Sequence, residues 1–340
     1  MMEPVLITYT DWGYIENRKI CLFTIRNRQG AYVQLTNYGA TLVSVCVPDR
    51  NGMNGHAVLG FNRLDAYRDD SCYIGSTVGR FANRISQARC VLDGYMLKLE
   101  PNDFPHSNHG GTSGFHREVF DYRFHDQGVS FQLLSRDRSG GYPGNLALTV
   151  KYGFDQQNDL TIEYTATTDR RTPLNLTSHA YFNLAPNQDS ISDHLLEIYA
   201  SLSLENTADH VPTGRILKNA PAVFRPVNGH EKKQGEKGIN RYYILDDKRH
   251  QLRPAGELRE PRSGRRLEVS TTYPGLMLYT GGYLESASPG HQGRPYRAFD
   301  GLCLECHHYP DNLNHPEFPT SVLSPGKTYH EIIRYAFRTF

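Results

Sequence analysis

The chain has 340 residues, 38% of them hydrophobic and 21% charged, with a formal net charge of +1. That composition supports a packed core and argues against disorder. Charges of both signs are interspersed, so no basic face is offered to nucleic acid or to an anionic membrane.

In chain order, the N-terminal MMEPVLITYTDWGY lacks a basic segment followed by a long apolar stretch, and no apolar run is long enough to span a bilayer. A cytoplasmic protein is expected. Cys21, Cys46, Cys72 and Cys90 stand isolated in apolar or strand-like contexts, as buried thiols of a reducing compartment do. Strands are predicted at 20–26, 31–36 and 41–47, a short helix near 63–69, then strands at 91–98 and 129–134. Period-two alternation is clearest next. Leu146, Leu148, Val150 and Tyr152 alternate with Ala147, Thr149 and Lys151, and Leu160, Ile162, Tyr164 and Ala166 with Thr161, Glu163 and Thr165. The polar DQQND between them makes an antiparallel pair with one buried face. Further strands are expected at 195–204, 266–271, 276–280, 301–306 and 331–337. Turn signals separate many of these, among them Arg-Asn-Gly at 50–52 and Asp-Gly at 93–94. HEKKQGEKG at 230–238 reads as a solvated loop. With no strand–helix–strand alternation and no linker, the expectation is all-β: one large antiparallel β-sandwich domain over 1–340. The 22 Tyr and 15 Phe suit strands, and they also suit sugar binding, where flat rings cover C–H faces.

Several motifs admit two readings. CLECH at 303–307 has the C-x-x-C-H pattern of haem attachment, but in a strand Cys303 and Cys306 point to opposite faces, which suits neither one porphyrin nor a zinc clip. The same alternation puts Cys303 and Glu305 on one face, with Leu304 and Cys306 on the other. Glu305 is then either a working carboxylate whose pKa burial would raise, or a residue of a solvated edge strand. His179, in TPLNLTSHAYFNL, is either a hydrogen-bonded core histidine or a catalytic one. His109 precedes a glycine pair that lets a backbone approach a ligand closely, or simply a surface loop. Asn83 and Arg84, in GRFANRI, can hold sugar hydroxyls or serve a structural ion pair. No phosphate loop is present. His307 and His308 lack helical ligand spacing, and no metal is assigned.

Taken together and in order, nine strings resemble the aldose 1-epimerase (galactose mutarotase) family: YGATLVSVCVPDRNG, VLGF, GRFANRI, NHGGTSGFH, GYPG, TPLNLTSHAYFNL, VPTG, YPGLMLYTGGYL and GLCLECHHYPDNLNHPEFPTSVLSPGKTY. The resemblance covers nearly the whole chain. It implies a galactose mutarotase-like β-sandwich that interconverts α and β anomers of a free sugar without metal or organic cofactor, as a monomer or homodimer. It implies His179 as general acid and Glu305 as general base, with substrate contacts from Asn83, Arg84, His109 and Tyr181. Two positions depart from the family pattern. Asn240 stands where the family has a binding aspartate, and Met277 where it has a glutamine; both losses are expected to fall on hydroxyl recognition rather than on proton transfer. Two other readings share these residues: a sugar-phosphate mutarotase, which needs a Lys/Arg cluster at the pocket mouth, and a non-catalytic sugar-binding or sensor module, which has no need for the acid/base pair.

Overall fold

A computed structural model describes residues 4–187, 189–219, 225–226, 237–247 and 249–340. Three antiparallel sheets carry the architecture. A nine-stranded sheet runs in the order Asp121–His125, Gly128–Ser135, Leu146–Phe154, Asp159–Thr168, Tyr329–Thr339, Arg265–Thr271, Arg253–Glu260, Leu195–Ile198 and Arg225–Pro226. A six-stranded sheet runs Tyr181–Phe182, Leu302–His307, Gly275–Tyr279, Asn240–Ile244, Leu202–Asn206 and Pro212–Lys218. The five strands from Leu6–Ile15 to Asn54–His56 form an N-terminal meander.

The strongest sequence signal finds its place in the nine-stranded sheet. Leu148 pairs with Ala166, Val150 with Tyr164 and Tyr152 with Ile162. These side chains are buried in one cluster with Phe23, Val33 and Leu35 from the meander and Leu276, Leu278, Leu304 and Cys306 from the six-stranded sheet. The core therefore lies between the nine-stranded sheet and the other two, which is the layered packing of a sandwich. Among the described residues, no helix is long and apolar enough to cross a membrane.

Some predicted elements differ from those observed. The stretch 91–98 is a hairpin of Arg89–Leu92 and Tyr95–Lys98, turning on Asp93 and Gly94, both at positive φ. The stretch 195–204 divides into Leu195–Ile198 and Leu202–Asn206, which join different sheets. The predicted helix is the single turn Leu64–Arg68, with Leu64, Ala66 and Tyr67 buried. Strands Leu6–Ile15 and Asp121–His125 escape sequence detection because they lie at sheet edges with mostly exposed side chains, so they lack an apolar alternation. Most of the loop expected at 230–238 lies outside the described residues.

Short ladders tie the loops at one end of the sandwich. Thr77–Val78 pairs with Thr177–Ser178, Arg84–Ile85 with Ser107–Asn108, and Tyr181–Phe182 with the start of Leu302–His307. The segments that carry the candidate catalytic residues meet at this end.

Candidate active site

Strand alternation sets the first catalytic candidate. Leu304 and Cys306 enter the core, which turns Cys303, Glu305 and His307 to the opposite face. Tyr181 pairs with Cys303, so the His179 segment runs beside that face. His179 is pinned by its own backbone: its N–H donates to the Ser76 carbonyl and its carbonyl accepts from Gly75 N–H, each at 2.9 Å.

The 79–85 segment arrives from the other side. Asn108 pairs with Arg84, and beyond that rung Asn83 and His109 both adopt positive φ, of 68° and 52°. Such backbone is strained for non-glycine residues and recurs at functional sites. It is held here by two hydrogen bonds at 3.3 Å, His109 N–H to the Asn83 carbonyl and Asn83 N–H to His109 Nδ1. The glycine pair after His109 serves the protein rather than a ligand. A Cβ on Gly110 would lie 2.0 Å from the Gly79 carbonyl oxygen, and one on Gly111 2.9 Å from Glu100 Cβ.

The three segments are joined by Asn175, a buried residue that the sequence did not single out. Its Oδ1 accepts from His308 N–H at 2.8 Å, and its Nδ2 donates to the carbonyls of His308 and Ala82. One amide thus fastens the glutamate strand and the arginine loop to the histidine segment.

The result is a cavity of about 530 Å³ whose inner end holds His109, His179 and Glu305, all buried. His179 Nε2 faces Glu305 Oε1 at 3.7 Å. An aromatic wall flanks them: Tyr73 to His109 4.8 Å, His109 to His179 5.1 Å and His179 to Tyr181 5.1 Å between ring centroids. Burial pushes the Glu305 carboxyl up to about 8, with the Arg84 guanidinium pulling it partly back. Burial also lowers His179 to about 4, and holds His109 well below its ordinary value with help from the His179 and Arg84 charges. Near neutral pH the His179–Glu305 pair therefore carries one proton, which is what paired acid/base chemistry needs.

His109, His179 and Glu305 also bring one ligand-capable atom each within 4.8 Å of one another. The hydrogen bonding assigns them otherwise. With Nδ1 of the neutral His109 ring accepting from Asn83, its hydrogen sits on Nε2, making that atom a donor for a ligand oxygen rather than a bare nitrogen for a cation.

The sequence profile described as Aldose 1-epimerase matches residues 22–336. The chain belongs to the aldose 1-epimerase family. It is 36% identical over 311 residues to a Bos taurus protein named galactose mutarotase, covering 90% of each chain. It is 33% identical over 328 residues to the aldose 1-epimerase of Escherichia coli strain K12, covering 93% of this chain and 94% of that one. Among solved structures, an aldose epimerase homologue from C. elegans superposes with a TM-score of 0.88 at 31% identity, over 94% of this chain and 98% of the other. A galactose 1-epimerase from Lactobacillus acidophilus, 24% identical, shares the fold with a TM-score of 0.85 over 98% of this chain and 99% of that one. The protein is thus an isomerase whose activity is mutarotation, on the galactose mutarotase-like sandwich.

In this epimerase, Asn83, Arg84, His109, His179, Tyr181, Asn240 and Glu305 all line the one cavity. Arg84 is also the ion-pair residue of the alternative reading, since its Nε donates to Asp103 Oδ2 at 2.7 Å. Tyr181 donates its hydroxyl to the Cys72 carbonyl at 3.2 Å, so its ring rather than its hydroxyl is turned to the histidines. Met277 is not among the lining residues. It pairs directly with Glu305 across the sheet and packs among Leu204, Tyr242, Ile244, Tyr309 and Phe318. Met277 thus lies on the Glu305 face of the sheet, buried beside that residue. Tyr73 and Asp103 line the cavity without having been singled out, because neither sits in a string whose chemistry is distinctive by itself.

Proposed function

We propose that Glu305 and His179 are the proton-transfer pair for anomer exchange of a free aldohexose. Mutarotation removes a proton from the C1 hydroxyl while the ring oxygen gains one. The C1–O5 bond breaks, C1 rotates, and the ring recloses on its other face with the proton transfers reversed. The requirement is a base at O1 and an acid at O5 that remain in reach throughout. The observation that carries the assignment is the buried His179–Glu305 pair, 3.7 Å apart at the closed end of the cavity. In the opening step Glu305 takes the O1 proton and His179 supplies the ring-oxygen proton; in closure they exchange roles. Burial alone favours the proton on Glu305. The Arg84 charge and a sugar hydroxyl donating to the carboxylate favour the ionised form needed at O1. His109 Nε2–H, Asn83 and Arg84 supply donors for sugar oxygens, and Asn240 supplies an amide where the family has a carboxylate.

The lining charge supports a free sugar over a sugar phosphate. Arg84 is the sole Lys or Arg among the described lining residues, and Asp103 pairs with it, while Asp209 and Glu305 add acidic groups. A non-catalytic binding module would carry a buried carboxylate at a stability cost with no return. Galactose and glucose are the first sugars to test, because galactose mutarotases are among the relatives. A cytoplasmic location fits six cysteines that form no disulfide. The decisive test is NMR anomer exchange on a panel of free aldoses: enzyme-dependent exchange supports the reading, and its absence in the wild type refutes it.

A further inference from the structure

The strand that carries Glu305 meets His179 at both of its ring nitrogens. Cys303 and Glu305 are two residues apart and share one face, while Leu304 and Cys306 enter the core. Cys303 Sγ lies 3.5 Å from His179 Nδ1, and Glu305 Oε1 lies 3.7 Å from Nε2. The rings of Tyr73, His109 and Tyr181 surround the imidazole at centroid distances of 5.8, 5.1 and 5.1 Å. Cys303 is fully buried and is not among the residues that line the cavity, so its thiol acts on a sugar only through His179.

The neighbours of the ring decide which nitrogen carries its hydrogen. A thiol both donates and accepts weakly, so Cys303 by itself allows either tautomer. Two further contacts favour a hydrogen on Nδ1. His179's own carbonyl draws the imidazole pKa upward, as an acceptor for a ring N–H does, and only Nδ1, on the backbone side of the ring, reaches it. Nε2 faces the Glu305 carboxyl, which burial keeps protonated near neutral pH and whose O–H is a stronger donor than a thiol. The bare lone pair therefore belongs on Nε2. The thiol stays uncharged, because burial and the Glu305 charge push it well above its ordinary value. In the serine-protease triad an aspartate takes the corresponding N–H and stabilises the imidazolium. A neutral sulfur orients the ring with little such stabilisation, in keeping with a His179 pKa of about 4.

We propose that Cys303 is a positioning residue for anomer exchange: its sulfur accepts the His179 Nδ1 hydrogen and seats the ring so that Nε2 trades the one working proton with Glu305 and the sugar ring oxygen. As the C1–O5 bond breaks, O1 gives its proton to Glu305, and the imidazolium gives its Nε2 proton to O5 while keeping the Nδ1 hydrogen on the sulfur. In closure the bare Nε2 takes the O5 proton back and Glu305 returns the other to O1. No proton crosses the Nδ1–sulfur contact, so the thiol is unchanged over the cycle. The part concerning turnover rests on the mutarotase reading; the tautomer does not.

Imidazole nitrogen NMR on protein with isotope-labelled histidine reads the tautomer directly, the His179 signals being assigned by their loss in His179→Asn. The wild type near neutral pH should show Nδ1 protonated and Nε2 bare. The opposite tautomer, or an even mixture, would overturn the proposal. Cys303→Ala should move His179 toward a mixture and lower kcat roughly tenfold, the scale of one hydrogen bond, with KM held within about twofold. Cys303→Val, of similar bulk to cysteine but without an acceptor, should do the same, which separates the lost hydrogen bond from an emptied site. An unmoved tautomer in both variants would overturn the proposal whether or not activity falls, because a packing role alone lowers activity and leaves the tautomer in place. If the wild type turns over no sugar, the mutarotase reading fails, and the wild-type and Cys303→Ala spectra still decide what the thiol holds.

Discussion

Met277 stands directly across the sheet from Glu305, and its thioether offers that carboxylate no hydrogen-bond donor. Glu305 Oε2 is buried without a hydrogen bond. The family resemblance places a glutamine at this position, whose amide could donate to Oε2. The Glu305 carboxyl is thus expected to be more basic than an amide neighbour would leave it. Met277→Gln is expected to stabilise the carboxylate and lower the Glu305 pKa from about 8. The alkaline limb of the kcat/KM profile should move to lower pH by the same interval; an unmoved limb would show that the introduced amide turns away into the Tyr242 cluster.

The pH profile of the wild type follows from the same pair. One proton must be shared between Glu305 and His179. Below about 4 both are protonated and no base remains, while above about 8 both are deprotonated and no acid remains. Between these limits kcat/KM should be nearly flat, since it reports the free enzyme's groups. Removing the Arg84 charge with Arg84→Gln removes the influence that lowers the Glu305 pKa, so the alkaline limb should move upward while KM rises. Polarimetry from about pH 4 to about pH 10 checks both.

Glu305→Gln and His179→Asn should each reduce kcat by ~10²–10⁴-fold, the range for a positioned acid or base. They should differ in stability. The folded-state pKa of Glu305 lies above its unfolded value, so wild-type stability declines as pH rises through the interval from about 4.5 to about 8. The amide introduced by Glu305→Gln cannot ionise. Thermal melts should therefore show this variant gaining on wild type as pH rises from about 4.5 to about 8, with the gain complete above about pH 8 and small at about pH 5. An equal Tm difference at both pH values would mean that the folded-state pKa of Glu305 does not lie above its unfolded value.

Gly110→Ala tests the loop that carries His109. At φ +88° the new Cβ would meet the Gly79 carbonyl at 2.0 Å. A loss of about 2 kcal/mol or more is expected from strain and clash combined, along with displacement of His109. Denaturant unfolding and KM should both change. Gly52→Ala, at φ +78° with open space around it, carries the backbone strain alone and should cost less.

How much of this was legible beforehand depended on the kind of signal. Alternation in 146–152 and 160–166 is local, so their pairing could be read directly. The face of Glu305 was equally readable, because Leu304 and Cys306 had to enter a core. What the sequence could not supply was which distant loops converge. Asn83 and His109 are 26 residues apart and His179 and Glu305 are 126 apart, and only the short ladders bring them together. That Met277 stands beside Glu305 was hidden for the same reason, since a motif does not give cross-strand register.

Asn175 has a consequence for motion. Its single side chain holds Ala82, His308 and its own segment in one hydrogen-bonded knot. The arginine loop, the histidine segment and the glutamate strand should accordingly open to solvent as one cooperative unit. Native-state hydrogen exchange would then show the His308 amide and those of the 79–85 and 174–179 backbone sharing one opening free energy, which Asn175→Ala would split into separate, faster openings. The enzyme would lose its catalytic geometry all at once rather than by gradual loosening.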